Sequence, residues 1–150
     1  MEKKYQSIAL VQRTEGNSTR FLLRWQPVWQ RWEFIVGQRL NNESFRETII
    51  REIGWQLRLS RSSDFIVSSM AQLSLEFSET LPDQASRQVA IAFYHVHIYR
   101  AEVLDYLIGD ANNRWVSAAE ICAGQSDDGD VIHPEIVAWI NRWKVVQPWQ

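Results

Sequence analysis

The sequence predicts an α/β (α+β) fold in which a mixed β-sheet lies between helices. Residues 88–100 are largely apolar on both faces, which is typical of a central strand covered on both sides. Two further segments, one internal and one C-terminal, carry apolar side chains at helical spacing, including Ile49 with Ile53 and Trp139 with Trp143. Strands interspersed with two substantial helices favour a sheet between helical layers.

The composition is that of a globular protein. With 150 residues, 45% hydrophobic and 23% charged, we expect residues 1–150 to form a single domain with its own core. The net charge of −2 argues against broad binding to nucleic acid. One cysteine, Cys122, excludes an intramolecular disulfide, and no apolar run has the length of a membrane span. We therefore expect a cytoplasmic protein with no membrane partner.

The first part of the chain predicts three strands. We expect them at residues 7–13, 21–26 and 32–36, where apolar and aromatic side chains predominate. Gly16 and Asn17 mark the turn between the first two strands, and Pro27 ends the second. The loop that follows, residues 28–31, presents Trp29, whose indole is suited to stacking on a flat ring.

A polar loop at residues 38–42 leads from Gly37 into the internal helix. We predict that the helix begins near Glu43 or Ser44. Its apolar positions follow helical spacing and are Phe45, Ile49, Ile50, Ile53 and Leu57.

This helix carries two polar ridges. Glu43, Glu47 and Arg51 recur every four residues and form one charged ridge, and Glu52 and Gln56 form a second beside it. A charged ridge of this kind is in many helices only a solvated salt-bridge ladder, worth a few tenths of a kcal/mol per pair.

Later segments predict two further strands before the central one. Residues 65–70 form a possible short strand, and residues 72–78 alternate between apolar and polar positions, which indicates a half-buried strand. Its polar face carries Glu76. In the central strand, His95 and His97 lie on one face, but no third ligand at suitable spacing indicates a transition-metal site.

The C-terminal third predicts helices. Residues 101–113 form a connection with partial helical character. Ser117 and Glu120 have capping-box spacing, which indicates the start of a short helix. Pro134 begins the last helix and Pro148 prevents its continuation.

The strand, glycine loop and carboxylate-bearing helix together resemble the Nudix hydrolase superfamily. The residues that match the spacing of its signature are Gly37, Glu43, Arg51, Glu52, Ile53 and Leu59. The family's adjacent Glu-Glu pair is replaced by Trp55 and Gln56, and its second Gly by Arg58. The resemblance implies a Nudix-like α/β/α sandwich with a mixed sheet, and a degenerate signature at the centre of the chemistry.

The resemblance also implies a reaction and its residues. Family members split nucleoside diphosphates linked to another group, using Mg²⁺ or Mn²⁺, and such hard cations prefer anionic oxygen ligands. On this basis the catalytic candidates are Glu52, Arg51 and Glu43, the latter two mainly as structural partners. The metal-ligand candidates are Glu52, Gln56 through its amide oxygen, and Glu76 as a compensating carboxylate; Glu79 and Asp83 are further choices.

Three residues are candidates for substrate binding under the same resemblance. Trp29 would rim the cleft, Gly37 would bring a carbonyl to the metal, and His95 would reach substrate from the end of the central strand. The expected ligand is a nucleotide or another phosphate-bearing small molecule.

The missing carboxylates leave three hypotheses about function. The first is a Nudix-fold protein with weak or lost Mg²⁺-dependent pyrophosphohydrolase activity that retains nucleotide-type ligand binding. The second is an active Nudix hydrolase that uses Glu52 and compensating carboxylates. The third is a non-catalytic interaction module, because the eight tryptophans would suit a homodimer or partner surface.

Overall fold

The structure is a computed structural model and describes residues 3–150. The eight strands are β1 Lys3–Glu15, β2 Ser18–Gln26, β3 Arg31–Glu33, β4 Ile35–Gln38, β5 Ile66–Val67, β6 Leu73–Thr80, β7 Ser86–His97 and β8 Asn113–Ser117. The four helices are α1 Phe45–Leu57, α2 Ala101–Gly109, α3 Ala118–Ala123 and α4 Pro134–Trp143.

The parallel pair β1 and β7 forms the centre of one mixed sheet. Their register runs from Lys3 opposite Gln88 to Gln12 opposite His97, and every other pairing between two of the eight strands is antiparallel. On one side β1 pairs with β2 and β4, and β2 continues to β3 and β8; on the other, β7 pairs with β5 and β6. The middle of β7 is buried on both faces, which confirms the prediction of a central strand.

Each face of the sheet is covered by helices. On one face, α1 and α2 bury their apolar sides against alternate residues of β1 and β7, such as Ala9 and Ala92. On the other face, α3 and α4 pack against the intervening residues, such as Ile8 and Phe93. The α/β/α sandwich with a mixed sheet is thereby confirmed. None of the helices within residues 3–150 is long and apolar enough to cross a bilayer.

Two predicted strands differ from the observed ones. Residues 32–36 form two strands rather than one, because the chain changes partners at Phe34: β3 pairs with β2, and β4 pairs with β1. The short strand predicted at residues 65–70 is limited to Ile66–Val67, because only these two residues pair with β7.

Local capping signals set the ends of the helices. Ser44 is the N-cap of α1 and Ser117 the N-cap of α3, each in a complete capping box, as their sequences predict. Pro134 is the first residue of α4, also as predicted. That helix ends well before Pro148, because Lys144 takes a left-handed C-cap conformation.

Candidate functional site

The site is built where α1 packs directly onto β4, and Gly37 permits the close approach. Gly37 is buried and lies in β4 opposite Ser7, so it is part of the strand rather than of the loop. A Cβ atom added here would lie 2.8 Å from Thr48 Cγ2, 3.2 Å from the Thr48 carbonyl oxygen and 3.3 Å from Glu52 Cβ. The absence of a side chain at position 37 therefore brings Glu52 against the strand.

An ion pair ties the start of this helix to the preceding loop. Arg51 Nε donates to Glu43 Oε2 at 2.9 Å, and its Nη2 donates to Glu43 Oε1 at 3.1 Å and to the Gln38 carbonyl at 2.9 Å. Glu43 Oε1 also accepts from the Leu40 backbone N–H at 3.0 Å. The Arg51 guanidinium and the Leu40 amide lower the pKa of Glu43 to about 2. Glu43 and Arg51 thus hold the loop against the helix.

Glu47 does not belong to this ion pair, which corrects the predicted ridge. Its carboxylate accepts from the Ser44 backbone N–H at 3.2 Å, and its own backbone N–H donates to Ser44 Oγ at 3.1 Å. The capping geometry turns the Glu47 side chain toward the first turn of the helix, so it serves the helix end.

Both carboxylate oxygens of Glu52 have donors. Arg51 Nη1 donates to Oε2 at 3.0 Å, and Gln56 Nε2 donates to Oε1 at 2.8 Å. The Gln56 amide therefore presents its nitrogen to Glu52, the orientation that an ionised acceptor-only carboxylate selects. Trp55, next to Gln56, is 77% exposed and offers no oxygen ligand.

These side chains do not fit a magnesium site. Mg²⁺ requires near-octahedral oxygen coordination and is usually held by one or two carboxylates together with waters and substrate phosphate. Among residues 3–150, His, Cys, Asp and Glu side chains form no group of three that could hold a metal ion. Gln56 contributes at most a neutral oxygen, and only after its amide turns away from Glu52.

Glu76 is far from Glu52. It lies on β6, and the strands β7 and β1 separate β6 from β4, on which Glu52 packs. Three strand spacings amount to roughly 14 Å. The Glu76 carboxylate is instead paired with Lys3 Nζ at 2.7 Å. The structure therefore does not bring Glu76 to the predicted metal position; Glu79, on the same strand, pairs with Arg87.

A polar cleft of about 570 Å³ opens beside this site. Its walls come from the start of β1, the end of β2 with the following loop, β3, β4 and the N-terminus of α4. The lining residues are Lys4, Gln6, Gln26, Trp29, Arg31, Glu33, Phe34, Val36, Gln38, Gln56, His133, Glu135 and Ile136. Gln56 is the α1 residue that reaches this cleft, so the cleft adjoins the helix at the position where the sequence resemblance places a metal ligand.

The predicted substrate-binding residues have different positions relative to the cleft. Trp29 lies on its rim, 65% exposed, with the Arg31 guanidinium 5.4 Å from the centre of its ring. Gly37 lies beneath the cleft wall, packed on Thr48. His95 is not among the lining residues. It lies beside Leu10 on β1, its Nδ1 is 3.2 Å from Gln12 Oε1, and burial lowers its pKa. A contact of His95 with substrate therefore stays a prediction, and this cleft does not supply it.

Sequence reasoning missed several lining residues. Gln6 has only 8% of its surface exposed and lines the cleft. His133 is the N-cap of α4; its Nδ1 accepts from the Ile136 backbone N–H at 3.3 Å, its Nε2 lies 3.6 Å from Glu33, and burial lowers its pKa. The one available signal was that His133 precedes Pro134, a preferred first residue of a helix.

The whole structure resembles solved Nudix hydrolases. No protein-family model matches the sequence, and no curated protein matches it. A C. elegans Ap4A hydrolase is similar over 96% of this chain and 97% of its own, with a TM-score of 0.58 at 11% identity. The M. smegmatis Nudix hydrolase RenU is similar over 96% of this chain and 86% of its own, with a TM-score of 0.60 at 13% identity.

A third structure has the same architecture. The MutT protein from Methanosarcina mazei Go1 is similar over 95% of this chain and 94% of its own, with a TM-score of 0.56 at 14% identity. Since these likenesses cover nearly all of the described residues, and the strand–loop–helix unit that carries Glu52 has the predicted form, the chain has the fold of the Nudix hydrolases.

Proposed function

We propose that residues 1–150 form one Nudix-like domain that binds a nucleotide or another phosphate-bearing small molecule and has weak or no Mg²⁺-dependent pyrophosphohydrolase activity. The observation that carries this proposal is the state of Glu52. It is the one carboxylate at the metal-binding positions of α1, and both of its oxygens already accept hydrogen bonds, from Arg51 and Gln56.

A divalent cation at this site would have to displace those donors. The cation would gain one carboxylate and a neutral amide, while Arg51 would stay beside it as a positive charge. Two anionic side chains fewer than the family signature leave too little negative charge to balance Mg²⁺. A cleft of about 570 Å³ is open with Gln56 in its wall, so ligand binding does not depend on the lost carboxylates.

The cleft supports a ligand with a flat ring, and its charged lining is mixed. Glu33 and Glu135 line it together with two cations, and Arg31 Nε donates to Glu33 Oε1 at 2.8 Å. Trp29 on the rim provides a stacking surface, and the nearby guanidinium of Arg31 extends it. Lys4 also lines the cleft and has no ion-pair partner among residues 3–150. Gln6 and Gln38 also line the cleft and offer amide groups for hydrogen bonds to a base or ribose.

The test combines an assay for turnover with an assay for binding. Nucleotide sugars, dinucleotides and nucleoside triphosphates are incubated with the protein in Mg²⁺ or Mn²⁺, and the melting temperature is measured with each. We expect a ligand-induced rise in melting temperature without appreciable turnover. Glu52→Gln is the variant that separates real activity from contamination, because it removes the one remaining carboxylate with little change in volume.

The alternative of an active hydrolase makes the opposite prediction. Turnover that Glu52→Gln abolishes would establish it and refute the proposal. The matched substitution Glu76→Gln then asks whether that carboxylate compensates for the lost pair. Its distance from α1 and its ion pair with Lys3 predict that Glu76→Gln leaves turnover unchanged.

A non-catalytic interaction module is favoured by the exposed apolar residues of the loop after β2. Val28 is 80% exposed and lies next to Trp29. If this loop forms a homodimer interface, sedimentation will show a dimer, and the double variant Val28→Ser, Trp29→Ser will be monomeric. In that case no nucleotide will shift the melting temperature. A monomeric protein with a nucleotide-induced shift excludes this alternative.

A further inference from the structure

A second pocket, of about 520 Å³, lies at the C-terminal end of α1 and adjoins the polar cleft. We call it the arginine pocket. It is lined by Arg24, Gln26, Trp55, Gln56 and Arg58. Gln26 and Gln56 line both the pocket and the cleft, so the two form one continuous surface.

The charge of the arginine pocket is positive. Neither Arg24 nor Arg58 forms a salt bridge with any carboxylate among residues 3–150. No acidic side chain lines the pocket within that same range. Asp110 lines an adjoining hollow that Arg24 and Arg58 also line. Its Oδ1 accepts from the Asn112 backbone N–H at 2.9 Å, and within residues 3–150 its carboxylate forms no salt bridge with either arginine. Two guanidinium groups against this one carboxylate leave the concave site with a net positive charge, which attracts an anion.

Arg24 is held in position for this role. It lies on β2, and its Nη1 donates to the Gln56 carbonyl at the end of α1 at 3.1 Å. This contact anchors one nitrogen of the guanidinium, and its remaining N–H groups donate to no protein group among residues 3–150. A guanidinium with several parallel donors is suited to bidentate contacts with phosphate oxygens.

We propose that the arginine pocket binds the diphosphate group of a ligand directly, through Arg24 and Arg58 and without a divalent cation. This inference rests on the proposed function, which it deepens, because the flat ring of the same ligand would lie in the cleft against Trp29. Neutral Trp55 and Gln56 stand where the family signature has its cation-binding carboxylates, and cationic Arg58 stands where the signature has a Gly.

Arg58 offers a variant that removes the charge without disturbing the fold. It is the C-cap of α1 and has φ 56° and ψ 47°, a left-handed conformation that glycine adopts more readily. Arg58→Gly is therefore expected to fold at least as well as the original protein. Lys144 provides the matched control: it is the C-cap of α4, with φ 55° and ψ 43°, and is exposed. Lys144→Gly makes the same backbone change and removes the same charge outside the pocket.

The experiment is calorimetric titration with inorganic pyrophosphate, ADP and adenosine, in excess EDTA and again in Mg²⁺. We expect pyrophosphate and ADP to bind in EDTA, ADP more tightly, and adenosine much more weakly than ADP. Because Arg58→Gly loses one charge-assisted contact, its affinity for pyrophosphate and for ADP should each be about tenfold lower. Lys144→Gly should bind as the original protein does. Arg24→Gln, which keeps an N–H donor, should lower the affinity for pyrophosphate and ADP to a similar extent.

Several results would overturn the inference. Equal weakening by Lys144→Gly would mean that net charge alone attracts the ligand. Equal affinity for adenosine and ADP would remove any role for the phosphates. Binding of ADP only in Mg²⁺, or binding that Arg58→Gly leaves unchanged, would refute the arginine pocket while leaving the proposed nucleotide binding in place. If no probe binds under any condition, both proposals fail.

Discussion

The contact between β4 and α1 gives the sharpest prediction about the scaffold of the site. Gly37→Ala adds one methyl group where Thr48 Cγ2 would lie 2.8 Å away, closer than any ordinary carbon–carbon contact. Thr48 is fully buried, and its Oγ1 donates to the Ser44 carbonyl at 3.0 Å, so its side chain is not free to rotate away. The helix must therefore move off the strand.

Overpacking of this kind costs about 1–3 kcal/mol. We expect the midpoint of urea unfolding of Gly37→Ala to fall accordingly, with the denaturant dependence unchanged. In a chain of this length each kcal/mol also lowers the melting temperature by about 2–4 °C. Because the backbone of Gly37 is an ordinary strand conformation, the whole effect arises from the lack of space and none from backbone strain.

Gly109→Ala is the matched control. It also adds one methyl group, at the last residue of α2, where nothing lies within 4 Å of the new atom. There alanine should leave stability unchanged or raise it by about 0.4–1 kcal/mol. Equal stability of Gly37→Ala and Gly109→Ala would mean that α1 does not pack closely on β4.

Two further predictions concern α1 and the loop that precedes it. Trp55→Glu combined with Gln56→Glu should create divalent-cation binding, which Mn²⁺ titration measures. The control, Trp55→Gln combined with Gln56→Asn, should not bind the cation. If the glutamate pair gives no gain in Mn²⁺ affinity, the alignment of this helix with the Nudix signature is wrong. Glu43→Gln weakens the contacts to Arg51 and should cost about 1 kcal/mol at neutral pH, since the pair is partly exposed. Folding lowers the pKa of Glu43 from 4.5 to about 2, so this stabilisation is present above pH 4.5 and is lost as the pH falls toward 2. The difference in urea midpoint between Glu43→Gln and the original protein should therefore shrink over that interval. A difference that persists at pH 2 would mean that the Glu43 charge is not its cause.

Elements defined by local patterns were predicted well. The alternation of apolar and polar residues in β6, the apolar faces of β7 and the capping boxes at Ser44 and Ser117 all depend on neighbours within a few residues. The charged ridge of α1 was predicted only in part. Spacing along the chain brings Glu43 and Arg51 together. Whether Glu47 pairs with Arg51 or accepts a hydrogen bond from a backbone amide at the helix N-terminus depends on the residue at which the helix begins.

Elements defined by distant partners were not predicted. The break at Phe34 exists because β3 and β4 pair with different strands, and nothing within residues 31–38 indicates that change. His95 lies beside Gln12 and outside the cleft because the parallel register of β1 and β7 places it there. Arg24 was not predicted as a site residue for the same reason, because it is 32 residues from Gln56, whose carbonyl it contacts.

The sequence by itself determined the fold class, the glycine–helix unit and the loss of the paired carboxylates, because spacing along one helix is a local property of the chain. Only the tertiary structure decided what surrounds that helix. It placed Glu76 three strands away from β4, on which α1 packs. It also gave both oxygens of Glu52 hydrogen-bond donors from Arg51 and Gln56, and it brought Arg24 and Arg58 to one pocket. These contacts depend on which strands pair and in which register, and that choice is made by burial across the whole sheet.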